Sequence, residues 1–313
     1  MWKVNWATCA LVLVAATVTG CSTDERAQLP PIPVVSQAGT AVDLSLPLDA
    51  YELSPGENHQ VQRAVLRTLG NCLDAFGLQV PLPETRMATY PVHATQLNWL
   101  GVYDVARYGY QGPPGFAEEM SAAARRGSRP IAFSNEALAV FIGEVATHAG
   151  RPVPAGGCDG ESQRAVNGSQ DPPTIAGIDP AVPAEQGIQW LEQQAADRAR
   201  ADKRFHAVTD QWRECMNRRG YRYATPDEAQ SDPRWNGDQS ENSASPSRDE
   251  LDTALADRAC REATNMSGVL KYLITEQENQ IIDTRSDTVH QVSDLLRRRA
   301  GHAARILGEP RAG

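Results

Sequence analysis

From residue 184 onward, apolar residues recur every three or four positions. Ile188, Leu191, Ala195, Phe205, Val208, Trp212, Cys215 and Met216 mark one helical face over 184–219. Such a helix is about 54 Å long if continuous, and Gly220 ends it. Leu251, Leu255, Val269, Leu270, Leu273, Ile281, Val289, Val292, Leu296 and Leu307 form a second stripe. It predicts a helix from the capping box Ser247-Arg-Asp-Glu250 to about residue 307, interrupted at Ser267-Gly268. A polar loop, 236–247, joins the two, and the pattern predicts an antiparallel hairpin.

The first half is more broken. Ser54-Pro55-Gly56-Glu57 opens a helix whose face is Val61, Val65, Leu69, Cys72, Leu73 and Phe76, and Gly77 stops it. Prolines and aromatics crowd 78–114. Shorter helices are predicted at 102–108, 116–126 and 135–149, the last capped by Ser134 and burying Leu138, Phe141, Ile142 and Val145. Thr225-Pro226-Asp227-Glu228 is a further capping box. Four prolines in 167–183 mark a linker.

The expected fold is therefore mainly α, with two cysteine-stapled helical halves, the second a long antiparallel helical hairpin. The expected domains are 54–166 and 184–313, joined by the linker 167–183. An echo links the halves. Leu69-x-x-Cys72-x4-Gly77 and Trp212-x-x-Cys215-x4-Gly220 each place a cysteine in the last turns of a helix that glycine ends.

Ahead of these lies an export signal. Lys3 precedes an apolar run, 7–18, which ends in the lipobox Val18-Thr19-Gly20-Cys21. The run is shorter than the roughly 20 residues of a membrane span. The expectation is cleavage after residue 20, a diacylglycerol on Cys21 and a Pro-rich flexible tether over 21–53. Two acyl chains hold a protein stably at a membrane. The expected location is the extracytoplasmic face of the plasma membrane.

Of the six cysteines, Cys9 leaves with the signal and Cys21 carries lipid. An even number in an oxidising compartment predicts two disulfides among Cys72, Cys158, Cys215 and Cys260. Three pairings are possible. Local context favours Cys72–Cys158 and Cys215–Cys260, the latter because the hairpin puts both cysteines at similar heights. No two show the short spacing of thiolate zinc ligands, so no metal is expected.

Composition adds the partners to exclude. Without Lys3 the chain has 29 basic against 39 acidic residues, a net of −10. An acidic surface argues against nucleic acid and against anionic lipid heads. Lysine occurs only at Lys3, Lys203 and Lys271, an arginine skew of the kind GC-rich genomes produce.

The run Glu214-Cys215-Met216…Gly220-Tyr221…Tyr223…Pro226…Asp232-Pro-Arg-Trp235, then Ala254-Leu-Ala-Asp257-x-x-Cys260-x-x-x-Thr264-Asn265, resembles an uncharacterised actinobacterial family of secreted or lipid-anchored proteins. Gly101-Val-Tyr-Asp104, Tyr108-Gly-Tyr110 and Gly157-Cys158-x-Gly-Glu161 are similar to its first half. The resemblance supports Cys215–Cys260 and transfers no catalytic or ligand-binding residue.

Chemistry is sparse. There is no HExxH, no G-x-S-x-G, no Walker loop, and no histidine pair at i, i+4. Most of the six histidines are expected on solvated helix surfaces. No catalytic residue and no cofactor are expected. Glu214, Glu228, Asp257 and Glu262 read as caps and ion pairs. Trp99, Tyr103, Tyr108, Tyr110, Tyr221, Tyr223 and Trp235 sit in loops near the cysteines. They either fill small cores or line a groove for a glycan or peptide. The expected function is a membrane-anchored binding or scaffold module of the cell envelope, its partner an envelope protein or cell-wall glycan. The alternatives are an accessory or sensor subunit of an envelope transporter, or a carboxylate-dependent cell-wall hydrolase.

Overall fold

Residues 31–37, 42–235 and 245–312 are described by the computed structural model. The export signal, Cys21 and most of the loop 236–247 lie outside them. Contacts divide the chain into residues 1–32 and a unit spanning 33–313; the account below concerns the second.

That unit is mainly helical. Its α-helices are α1 Pro55–Ala75, α2 Val105–Tyr108, α3 Phe116–Ala124, α4 Asn135–Ile142, α5 Gly157–Val166, α6 Gly187–Ala201, α7 Lys203–Arg218, α8 Pro226–Gln230, α9 Arg248–Ala263, α10 Met266–Thr284 and α11 Ser286–Leu307. A two-residue antiparallel pair, Thr147–His148 with Arg151–Pro152, is the β-structure among the described residues. No described helix is long and apolar enough to cross a membrane.

Local signals set the helix ends. Ser54 and Glu57 form the reciprocal capping box that opens α1. Thr225 accepts from the Glu228 amide at α8, and Ser247 accepts from the Glu250 amide at α9. The echo is a shared geometry. At the end of α1 the Gly77 amide bonds the Asp74 carbonyl and the Leu78 amide bonds that of Leu73. At the end of α7 Gly220 bonds Asn217 and Tyr221 bonds Met216. Both are Schellman closures around a left-handed glycine, φ +74° and +94°. Each fixes its cysteine five residues upstream, and the bonds formed are Cys72–Cys158 and Cys215–Cys260.

The stripe over 184–219 is broken at Asp202. Its carboxylate caps α7 by accepting from the Arg204 amide, which favours a new start over continuation. The last stripe breaks at Asn265, φ +49°, rather than at Ser267-Gly268, and again at Arg285. Asn265 is occupied by the N-terminal segment: it accepts from the Val35 amide and donates to the Pro33 carbonyl. The hairpin stands, built from four helices. α7 packs on α9 and α6 on α10, so the two arms run antiparallel. Cys215–Cys260 clips α7 to α9.

The predicted helix 135–149 stops at Ile142, because Gly143 is left-handed and α5 begins against it. A Cβ on Gly143 would lie 2.4 Å from the Gly157 nitrogen. The buried face of α4 is Ala137 and Val140, whereas Leu138 and Ile142 are exposed.

Two expected boundaries differ from the structure. The expected tether packs into the body from residue 33. Val35, Leu44, Leu46 and Leu48 are buried, and Pro47–Tyr51 form a 3-10 turn against α10. The halves are also not separate domains. Helix α11 packs on α1 and α5, joining Ala64, Val166 and Ala303 in one cluster. Ile175 and Ile178 of the expected linker are buried too. Long apolar stripes do not say which neighbour they cover, and here α11 covers the first half.

Candidate functional site

A cavity of about 780 Å³ opens where four segments meet. They are the 3-10 turn, the start of α1, the loop 88–93 and the stretch holding Arg126, with Arg297 and Arg311 at the wall. Leu44, Leu53, Pro55, Pro91 and Val92 make its apolar part. Asp49, Glu52, His93 and Arg126 make its charged part, with Glu57 paired to Arg311 at the wall.

Each charged group is held by the fold. Asp49 sits in the 3-10 turn, where its Oδ2 accepts from the Leu46 amide at 2.9 Å. Its Oδ1 lies 2.7 Å from His93 Nε2. The other ring nitrogen, Nδ1, lies 2.8 Å from Gln96 Oε1. An imidazole flanked by two acceptors carries both protons most readily. Burial opposes charge on His93, but the Asp49 hydrogen bond and charge prevail and raise its pKa. The pKa of Asp49 is lowered: burial acts against it, and His93 more than compensates.

Arg126 is the second centre. Its Nη2 donates to Glu192 Oε2 at 2.6 Å and its Nε to Glu52 Oε2 at 3.2 Å. Its backbone is left-handed, φ +54°, which costs an ordinary residue about 1–3 kcal/mol. Gln62 holds the Arg126 carbonyl at 2.6 Å, and the two carboxylates hold the side chain. Behind them, Glu278 Oε2 accepts from the Leu48 amide at 2.9 Å.

The balance of charge is unequal. Four carboxylates, Asp49, Glu52, Glu192 and Glu278, share this region with two cationic groups, Arg126 and His93, so ionising all four at once is costly. Glu52 Oε1, Glu192 Oε1 and Glu278 Oε1 are buried with no hydrogen-bond partner among the described residues. Burial raises all three pKa values, Glu52 to about 7 and Glu278 to about 8. Arg126 pulls Glu52 down but Glu192 and Asp49 push it up; Glu278 feels Glu192 and Asp49 against His93 and the Leu48 amide.

This sets a stability profile. A carboxylate whose folded pKa lies above its unfolded value lends stability that is full below about pH 4.5. That stability is lost as pH rises through about 7 for Glu52 and about 8 for Glu278. Each group contributes at most about 1.4 kcal/mol per pH unit over its window. The depressed carboxylates have finished titrating below that range. The thermal midpoint in chelator is therefore expected to fall between pH 5.5 and 8.5, and Glu278→Gln to flatten the fall. An unchanged midpoint in the wild-type chain contradicts the reading.

The sequence reading missed this site. Asp49 and Glu52 fell in the expected tether, and His93 is buried in a turn rather than solvated on a helix. The available signal was charge in apolar register. Glu192 follows Ile188 and Leu191, and Glu278 lies between Ile274 and Ile281, all buried.

The seven candidate aromatics are placed elsewhere, and none lines this cavity. Trp99, Tyr223 and Trp235 are buried. Trp99 donates to the Ser36 carbonyl, Tyr103 to that of Gly109, Tyr110 to Asp257, Tyr223 to Asp232 and Trp235 to the Ala229 carbonyl. Tyr108 packs edge-on to Tyr103, and Tyr221 is half-buried. The polar ends of the five hydrogen-bonded rings are spent inside the protein. Asp257, read as an ordinary ion pair, is a fully buried one.

No protein-family model, curated protein or solved structure matches the chain.

Proposed function

We propose that the protein is a lipid-anchored extracytoplasmic binding module whose ligand site is the cavity over Asp49, Glu52, His93 and Arg126. The cavity carries the reading: it is of ligand size, part apolar, with a few convergent polar groups of perturbed pKa. The lipobox ending at Cys21 and the two disulfides support a station outside the cytoplasm. The resemblance to secreted actinobacterial proteins agrees with it. Asp49 and Glu52, with Arg297 also in the lining, favour a small dipolar ligand, cationic at one end and anionic at the other. Short peptides and amino-glycans of the cell wall have that chemistry.

The test is calorimetric titration of the full chain with soluble cell-wall peptides and glycan fragments. Saturable binding is expected, weakened at least tenfold by Glu52→Gln, while Cys21→Ser shifts the protein out of the membrane fraction without altering affinity. No binding by any fragment, or equal binding by Glu52→Gln, sinks the proposal.

A second reading, a cell-wall hydrolase, has one observation in its favour. Asp49 is kept ionised and Glu52 is held near neutrality in the same cavity, the opposed environments that acid and base roles require. Fragment shortening during the same titration, abolished by Glu52→Gln, is its signature.

A further inference from the structure

We propose that Asp49, His93 and Glu192 bind one divalent transition-metal ion. One oxygen of each carboxylate and one ring nitrogen lie within 4.8 Å of one another. Bonds of about 2.0–2.2 Å place tetrahedral ligand atoms roughly 3.3 Å apart. Closing the set therefore asks for side-chain adjustments of about an ångström or so, with no refolding of the three elements that carry them.

Two observations converge. The first is a supporting shell. Each ligand is gripped from behind at one atom, leaving another available: His93 by Gln96, Asp49 by the Leu46 amide, Glu192 by Arg126. Metal-binding imidazoles have such a partner at the far nitrogen, which fixes the ring and the tautomer. The second is an orphan. Glu192 is only 4% exposed, yet its Oε1 has no hydrogen-bond partner among the described residues. A buried carboxylate oxygen without a donor is costly and calls for a cation or a proton.

The ligand set chooses the class. One imidazole with two carboxylates suits zinc and its first-row neighbours, whereas calcium and magnesium prefer all-oxygen shells. Binding releases the Nε2 proton of His93 to solvent, since the metal takes that lone pair. Asp49 and His93 also line the cavity, which gives the site a route to solvent. The inference goes beyond the binding proposal and does not rest on it.

The experiment is competition titration of the chelator-stripped full chain with Zn²⁺ against a chromogenic chelator, alongside thermal unfolding. One equivalent is expected to bind, to raise the midpoint, and to weaken at least tenfold in Glu192→Gln and in His93→Gln. His290→Gln, which alters an exposed histidine of α11, is expected to bind as the wild type does. Should His93→Gln fail to fold, Glu192→Gln carries the test, because its amide oxygen still accepts from Arg126. No saturable equivalent, equal affinity in Glu192→Gln, or tighter binding of Ca²⁺ than of Zn²⁺ overturns the proposal. Because the readout is Zn²⁺ affinity, failure here leaves the cell-wall titration unaffected.

Discussion

Replacing Asp257 by Ala is expected to cost the fold about 3–5 kcal/mol, because it strands a buried guanidinium. The Asp257 and Arg261 side chains are both fully buried on α9. Arg261 grips the carboxylate through Nε to Oδ1 and Nη2 to Oδ2, each at 2.8 Å. Trp212 Nε1 also donates to Oδ1 at 2.8 Å and the Tyr110 hydroxyl to Oδ2 at 2.9 Å. Arg261 Nη1 reaches the Asn98 carbonyl at 2.8 Å. One carboxylate thus ties α9 to α7 and to the loop after α2, with every lone pair engaged. Networks of this kind couple strongly, and a half-satisfied one is worse than none. The double variant Asp257→Leu/Arg261→Leu is accordingly expected to lose less than Asp257→Ala. Urea unfolding measures both; a single-variant loss under about 1 kcal/mol contradicts the argument.

Removing the Cys72–Cys158 bond is expected to cost a similar amount. Its cysteines lie 86 residues apart, against 45 for Cys215–Cys260. Chain entropy gives about 4–5 kcal/mol for loops of these lengths, the longer loop contributing more. Cys72–Cys158 also holds α5 on α1 within the cluster of Leu69, Leu73, Val140 and Phe76. Cys72→Ala/Cys158→Ala is expected to lower the urea midpoint more than Cys215→Ala/Cys260→Ala, because α7 and α9 keep the Trp212–Asp257 bond. The reverse order contradicts the loop-length argument.

Helices were legible where local chemistry decides. The capping boxes at Ser54, Thr225 and Ser247 and the glycine stops at Gly77 and Gly220 act within a few residues, so the sequence contains them whole. The break at Asn265 was not legible, because its cause, the backbone of Pro33 and Val35, lies about 230 residues away. The merging of the halves was hidden for the same reason: an apolar stripe on α11 fits a hairpin partner as well as it fits α1. The cavity was least legible. Its acids come from a turn in a Pro-rich segment and from single charged positions in apolar helix faces. A composition reading assigns the first to a tether and passes over the second.

Buried acids beneath the cavity, retained for binding rather than for stability, are the claim to test. The most direct measurement pairs the cell-wall titration of Glu52→Gln with unfolding of the same variant at pH 8. The account predicts that binding weakens at least tenfold while stability holds or rises, since an amide carries no charge to bury. Intact binding with a large loss of stability would show Glu52 to be structural and contradict the claim.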